Sequence, residues 1–157
     1  MPPLSETLIK PDANDPKATL MELDELWSFV FKKINQAWIW IALCRKTRQV
    51  VAYAVGDRSK ETCKKLWDSI PEEYREGHCY TDFWAAYQAV IPEDQLSQVG
   101  KETGETAHVE RWNGTLRQRI GRFVRKTLSF SKSTFMHIAC LDLFLHRYNL
   151  EKVTLLV

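Results

Sequence analysis

The sequence predicts an α/β fold: a mixed five-stranded sheet, three antiparallel strands followed by two crossover strands, with helices on both faces. Three apolar segments succeed one another through short polar links, which is the pattern of an antiparallel meander. The remainder then alternates helix-like and strand-like segments. At 157 residues the chain is long enough to bury a core without disulfides or a metal staple.

Residues 1–19 carry Pro2, Pro3, Pro11 and Pro16 and have no apolar period, so they read as a flexible arm or linker. The folded domain is expected over 20–150, with 151–157 as a C-terminal tail. Residues 20–31, 37–44 (AWIWIALC) and 50–55 (VVAYAV) read as the three strands. Their near-continuous apolar character marks strands covered on both faces. The polar stretches 32–36 and 45–49 read as links. Ser59 is placed to cap a helix ending near Ser69, ahead of Pro71. A short strand over 78–82 leads into a helix over 83–90, and 96–101 reads as the fifth strand. A long helix is expected from Thr106 or Ala107 to about Lys126. A last one is expected over 133–147, capped by Ser131 or Ser133.

Composition excludes several function classes. The longest apolar run, 37–44, is far short of the roughly 18 residues a membrane span requires. Cys44, Cys63, Cys79 and Cys140 are scattered, without the paired spacing of a zinc or redox site, and read as reduced, buried thiols. The four histidines also lack metal-ligand spacing. A reducing cytoplasm is the expected home. The net charge of +2 hides an asymmetry. Residues 1–104 hold 13 Lys/Arg against 16 Asp/Glu, whereas 105–157 hold 9 against 4. Between Arg111 and Lys132, seven basic residues face no acid, a stripe suited to a polyanion or to solvent.

Three carboxylates stand out. Asp24 lies mid-strand in MELDELWSFV, where a lone charge costs several kcal/mol unless something cationic meets it. Glu22 shares its face and Glu25 points the other way; an edge strand with solvated acids is the alternative. Asp82 ends the strand HCYTD, where open α/β sheets place their chemistry, and it also reads as a helix cap. Glu110 sits in HVERWNGTLRQRIGRFVRKT. There Val109, Trp112, Leu116, Ile120 and Phe123 form a core stripe, and Glu110, Gly114, Arg117 and Gly121 form a second one. Two helix glycines cost about 1 kcal/mol each relative to alanine, and make sense where a bulky backbone approaches. The alternative is an ordinary amphipathic helix. Three such acids form a set of hard oxygen ligands suited to a pair of Mg²⁺ or Mn²⁺ ions and to phosphoryl transfer.

MELDELWSFV, CYTDFWAAY and above all HVERWNGTLRQRIGRFVRKTLSFSKS resemble the DDE transposases of bacterial insertion sequences, most closely the insertion-sequence-one family, over residues 21–149. The resemblance implies a ribonuclease-H-like DDE catalytic domain that cleaves and joins DNA strands with divalent metal, in a bacterial, nucleoid-associated setting. It implies that Asp24, Asp82 and Glu110 are the catalytic and metal-binding acids. Arg117 matches the basic residue seven positions after the glutamate that is thought to contact DNA. Arg119, Arg122, Arg125 and Lys126 are further candidates for phosphate contacts. The implied cofactor is two Mg²⁺ ions, with Mn²⁺ as substitute.

The implied partners are the DNA of the element's ends and its target, further copies of the chain in the active complex, and no membrane. This sequence resembles the downstream, catalytic half, so an upstream zinc-binding and helix-turn-helix recognition part joined by frameshift fusion is also implied. Asn113 and His108 lie near the Glu110 face, Asn113 reading as a polar surface residue, with support of substrate or metal as the alternative, and His108 as a neighbour of the site. Trp84 and Trp112 read as core. A ribonuclease-H-type nuclease shares the same acids. A non-catalytic regulatory remnant that binds DNA shares the same basic stripe.

Overall fold

A computed structural model describes the backbone of residues 2–30, 32–126 and 134–156; side chains at 29–36, 120–126, 134 and 156 lie outside the description. Among the described residues, seven strands and four α-helices follow in order. The strands are β1 Met21–Leu26, β2 Phe29–Val30, β3 Lys32–Gln36, β4 Trp38–Cys44, β5 Val50–Gly56, β6 Cys79–Thr81 and β7 Leu96–Gln98. The helices are α1 Lys60–Ser69, α2 Ala85–Val90, α3 Ala107–Lys126 and α4 Thr134–Leu156.

The main sheet has five strands in the order β5-β4-β1-β6-β7. β1, β4 and β5 pair antiparallel, while β6 and β7 join in parallel. This is the mixed sheet the sequence predicts, with β1 at its centre, and the architecture is ribonuclease-H-like. Period-two alternation explains the two layers. Trp40, Ala42 and Cys44 of β4 face α1 and α2 in one core with Met21 and Leu23. Ile39, Ile41 and Leu43 face α3 and α4 in the other, with Leu26 of β1. On β1 the same alternation sends Glu22 and Asp24 toward α3, and Glu25 toward α1 and α2.

Several boundaries differ from expectation, among them the fifth strand of the sheet, which stops at Gln98. The first strand stops at Leu26, and the polar stretch expected as a link forms a small hairpin of β2 with β3. The polar sequence KKINQ carries no apolar period to announce a strand. The last helix continues past Arg147 to Leu156, because residues 148–156 contain no glycine or proline to stop it. Its expected caps, Ser131 and Ser133, lie outside the described residues. Ser59 is the N-cap residue of α1 as expected, but its side chain makes no capping bond; Asp57 ahead of it accepts from the Ser59 amide at 3.1 Å and the Thr62 hydroxyl at 2.8 Å.

The proline-rich segment at the start lies against the body. Leu4 and Leu8 pack on the two cores. Asn149 of α4 donates to the Thr7 hydroxyl at 2.9 Å and to the Val50 carbonyl at 2.8 Å, and accepts from the Val50 amide at 2.7 Å. Gln49 donates to the carbonyls of Thr7 and Asn149 at 2.9 and 3.0 Å. All four cysteines are free thiols; burial pushes Cys63 and Cys79 up to about 12, so neither ionises near neutrality. Among the described residues, no helix is long and apolar enough to cross a membrane.

Candidate active site

Parallel pairing sets the site. β1 and β6 align Met21 with Cys79 and Glu22 with Tyr80, and both chains then run out at the same end of the sheet. Three residues beyond the first of these pairs stand Asp24 and Asp82. A Cβ at Gly77, just before β6, would overlap the Thr19 carbonyl, so only glycine lets β6 start this close to β1.

Oxygen atoms of Asp24, Glu25 and Asp82 lie within 4.8 Å of one another. The three acids are held differently. Asp24 accepts from the Asn113 side-chain amide at 2.9 Å and from the Glu25 backbone amide at 3.0 Å. Neither partner carries charge. Burial, the neighbouring Glu25 charge and that of Asp82 raise the Asp24 carboxyl from 3.8 to about 7. Glu25 is also raised, by burial first, but Arg58 bonds one oxygen at 2.9 and 3.1 Å and the Tyr87 hydroxyl donates to the other at 2.5 Å. Its two oxygens are thereby committed to protein partners. Asp82 accepts from the Trp84 amide at 3.0 Å, which ties its carboxylate to the turn that opens α2.

Glu110 stands outside this group. Its carboxylate accepts from the Thr106 hydroxyl one turn back, at 3.2 Å. The α3 residue that reaches Asp24 is Asn113, three positions on and on the same side of the helix. Asn113 is therefore a buried member of the site and not the surface residue its sequence suggests; its carbonyl oxygen is buried without a partner among the described residues. The entry of α3 is fixed from the sheet. Glu22, fully buried, accepts from the His108 and Val109 amides at 2.9 and 3.2 Å, in the first turn of the helix. Its other oxygen meets His108 Nδ1 at 2.6 Å and accepts from Arg45 at 3.0 Å. His108 is thus engaged by Glu22, and Arg45 goes on to Glu105 at 3.0 Å.

Comparison with known proteins decides the family. The IS1 transposase family matches residues 18–150. The iso-IS1n protein InsB of Shigella dysenteriae is 38% identical over 133 residues, covering 83% of this chain and 97% of the relative. The IS1 protein InsB of Shigella flexneri is 36% identical over 116 residues, covering 74% and 86%. An IS1 protein InsB of Escherichia coli K12 is 35% identical, covering 74% and 67%. The chain belongs to the IS1 transposase family.

Within this IS1-family chain the basic candidates divide by helix face. Arg117 is exposed and shares the side of α3 that carries Glu110. Arg119 is also exposed but lies on the opposite side, in the groove formed with Cys140, Phe144, Arg147 and Tyr148 of α4. The side chains of Arg122, Arg125 and Lys126 lie outside the described residues. Val109, Trp112 and Leu116 are buried as the stripe predicts; Ile120, Gly121 and Phe123 fall outside the described side chains. A Cβ at Gly114 would meet nothing within 4 Å, so its surface side is open. Trp84, expected in the core, is 36% exposed, and Phe83 beside it is 69% exposed. Glu25, Arg58 and Tyr87 were not legible as one cluster, because their contacts span 33 and 62 positions. The only local signal was the aromatic run after Asp82.

The donor set fits a divalent metal. Every ligand atom on offer is a carboxylate oxygen, the type Mg²⁺ and Mn²⁺ select. Asp24 is a half-buried acid with no cationic protein partner among the described residues, so a bound cation would relieve its desolvation.

Proposed function

We propose that this chain is the catalytic part of an insertion-sequence transposase, cleaving DNA strands and joining the freed ends to target DNA as a polynucleotidyl transferase. The observation that carries the reading is Asp24: a half-buried carboxylate beside Asp82, with two neutral partners and an ionisation pushed up to about 7. Asp24 with Asp82 would hold one Mg²⁺, and Asp24 with Glu110 a second, with Mn²⁺ as substitute. Such a pair, when bound, activates the attacking oxygen and offsets charge on the leaving one.

The rest of the work belongs to the chain. Asn113 orients the Asp24 carboxylate through its amide, and Arg58 with Tyr87 holds Glu25 back from the metals. Arg117, two turns beyond Glu110 on the same face, is a phosphate contact that positions DNA without reading its sequence. The open surface at Gly114 leaves room for the strand between them. Arg119 faces the α4 groove and would meet DNA from another side. Arg122, Arg125 and Lys126 extend the same basic helix. No side-chain nucleophile is required, since water and then a 3′-hydroxyl serve. Joining two ends calls for at least two copies of the chain. End recognition calls for an upstream DNA-binding part, supplied by frameshift fusion. A bacterial, nucleoid-associated site of action follows from the same reading.

The test uses Mn²⁺ with three labelled substrates: duplex DNA, a branched strand-transfer product run in reverse, and an RNA–DNA hybrid. Metal-dependent resolution of the branched DNA is expected, reduced at least about 100-fold by Asp82→Asn. Hybrid cleavage alone would replace the transposase reading with a ribonuclease-H-type nuclease.

A further inference from the structure

The residue directly after Asp82 is a phenylalanine whose side chain is 69% exposed. A large apolar ring in water at the lip of an acidic cluster is unfavourable in the free protein. It is not the product of a loose end. The Asp82 carboxylate accepts the Trp84 amide at 3.0 Å, and Gln98 of β7 donates to the carbonyls of both Asp82 and Trp84 at 3.1 Å. The backbone on each side of Phe83 is therefore pinned, and the ring is presented outward from a fixed turn.

The next residue, Trp84, belongs to a stack. The Arg58 guanidinium lies 4.0 Å from the centre of the Trp84 ring and 4.9 Å from that of Trp38, sandwiched between two indoles. The Trp84 indole N–H donates to the Arg58 carbonyl at 3.1 Å. Arg58 is in turn held by Glu25. The Trp84 indole N–H and the Nε and Nη2 groups of Arg58 are engaged within the protein, and the Trp84 ring is 36% exposed.

A DNA strand whose phosphate reaches Asp82 must carry its neighbouring base past Phe83, one residue away. We propose that Phe83, next in the chain to the Trp84–Arg58–Trp38 stack, is a stacking platform for an unpaired nucleobase adjoining the reacting phosphodiester. The platform rests on the transposase reading of the acids. It accepts any base, because each has a π face. It also favours DNA ends that are frayed or nicked, where unstacking has already been met.

Anisotropy binding in Ca²⁺, where no cleavage is read, tests it with two labelled DNAs: a blunt duplex and one ending in an unpaired 3′ stretch that contains 2-aminopurine. The full chain is expected to prefer the unpaired end and to quench the 2-aminopurine. Phe83→Ala should weaken that binding by about 5- to 150-fold while leaving the blunt duplex unchanged. Phe83→Leu, apolar but without a π face, should be as poor, and Phe83→Trp should restore both affinity and quenching. Since the ring is exposed, thermal melting should match wild type in all three. Equal affinity of wild type and Phe83→Ala, full function of Phe83→Leu, or no wild-type preference for the unpaired end would each overturn the platform. The readout contains no strand chemistry, so such a result leaves the acids' role to be judged by the branched-DNA assay.

Discussion

Replacing Glu22 by alanine is expected to destabilise the protein by about 3–5 kcal/mol, the cost of breaking a buried charge pair from one side. The carboxylate is wholly buried and serves four groups at once: the His108 and Val109 amides, the His108 ring and Arg45. Removing it strands two first-turn N–H groups of α3 and leaves the Arg45 head without its buried partner. For a chain of this size the loss corresponds to a fall in Tm of roughly 6–20 °C. Thermal melting followed by circular dichroism measures it. Glu22→Gln keeps an acceptor for the amides and should lose less. A change below about 1 kcal/mol for the alanine variant would show that α3 is seated by its apolar stripe alone. The effect reaches the site because α3 carries both Glu110 and Asn113. A shifted helix entry moves both relative to Asp24.

Asp24→Asn is expected to make the metal-free protein more stable while ending its chemistry. The sign follows from the raised carboxyl. Between about pH 4 and pH 7 the unfolded chain ionises Asp24 and the folded one keeps it protonated, so the folded state binds more protons and stability falls as pH rises. The full span, from 3.8 to about 7, corresponds to about 4 kcal/mol. Asparagine carries no charge at any pH and keeps an acceptor for Asn113. Urea unfolding at pH 4, 5.5, 7 and 8 in chelator should therefore give a falling curve for wild type and a flatter one for the variant, which is the more stable at pH 8. Millimolar Mn²⁺ at pH 8 should raise the wild-type midpoint and leave that of the variant unmoved. Identical pH profiles would mean that Asp24 is already compensated within the fold.

The sheet and its helices were legible because their signals are local. AWIWIALC and VVAYAV announce buried strands by composition, and the Val109–Trp112–Leu116 spacing announces a helix face. Asp24 was legible as an anomaly: an acid where strand physics disfavours one. Its geometry was not. Glu22 and His108 lie 86 positions apart, and Asn113 and Asp24 lie 89 apart, so no window of sequence shows that α3 is seated by one buried acid and touches a second, half-buried one. Parity did place Glu22 and Asp24 on one face of β1 and Glu25 on the other, and the structure keeps that division. It adds that Glu25, at the strand end, still comes within 4.8 Å of the two aspartates. The exposure of Phe83 and Trp84 was hidden for a related reason: an aromatic run reads as core until the turn around it is known.

That division leaves one decisive comparison. Glu25 is near the aspartates but bound to Arg58 and Tyr87, whereas Glu110 lies on the facing helix with Thr106 as its partner. Strand-transfer reversal on branched DNA in Mn²⁺, run with Glu110→Gln and Glu25→Gln against wild type, separates them. The expected result is loss of at least about 100-fold for Glu110→Gln and retention of most activity for Glu25→Gln, with both variants melting cooperatively. Full activity of Glu110→Gln together with loss in Glu25→Gln would contradict the account, and would make Asp24, Glu25 and Asp82 the metal-binding set.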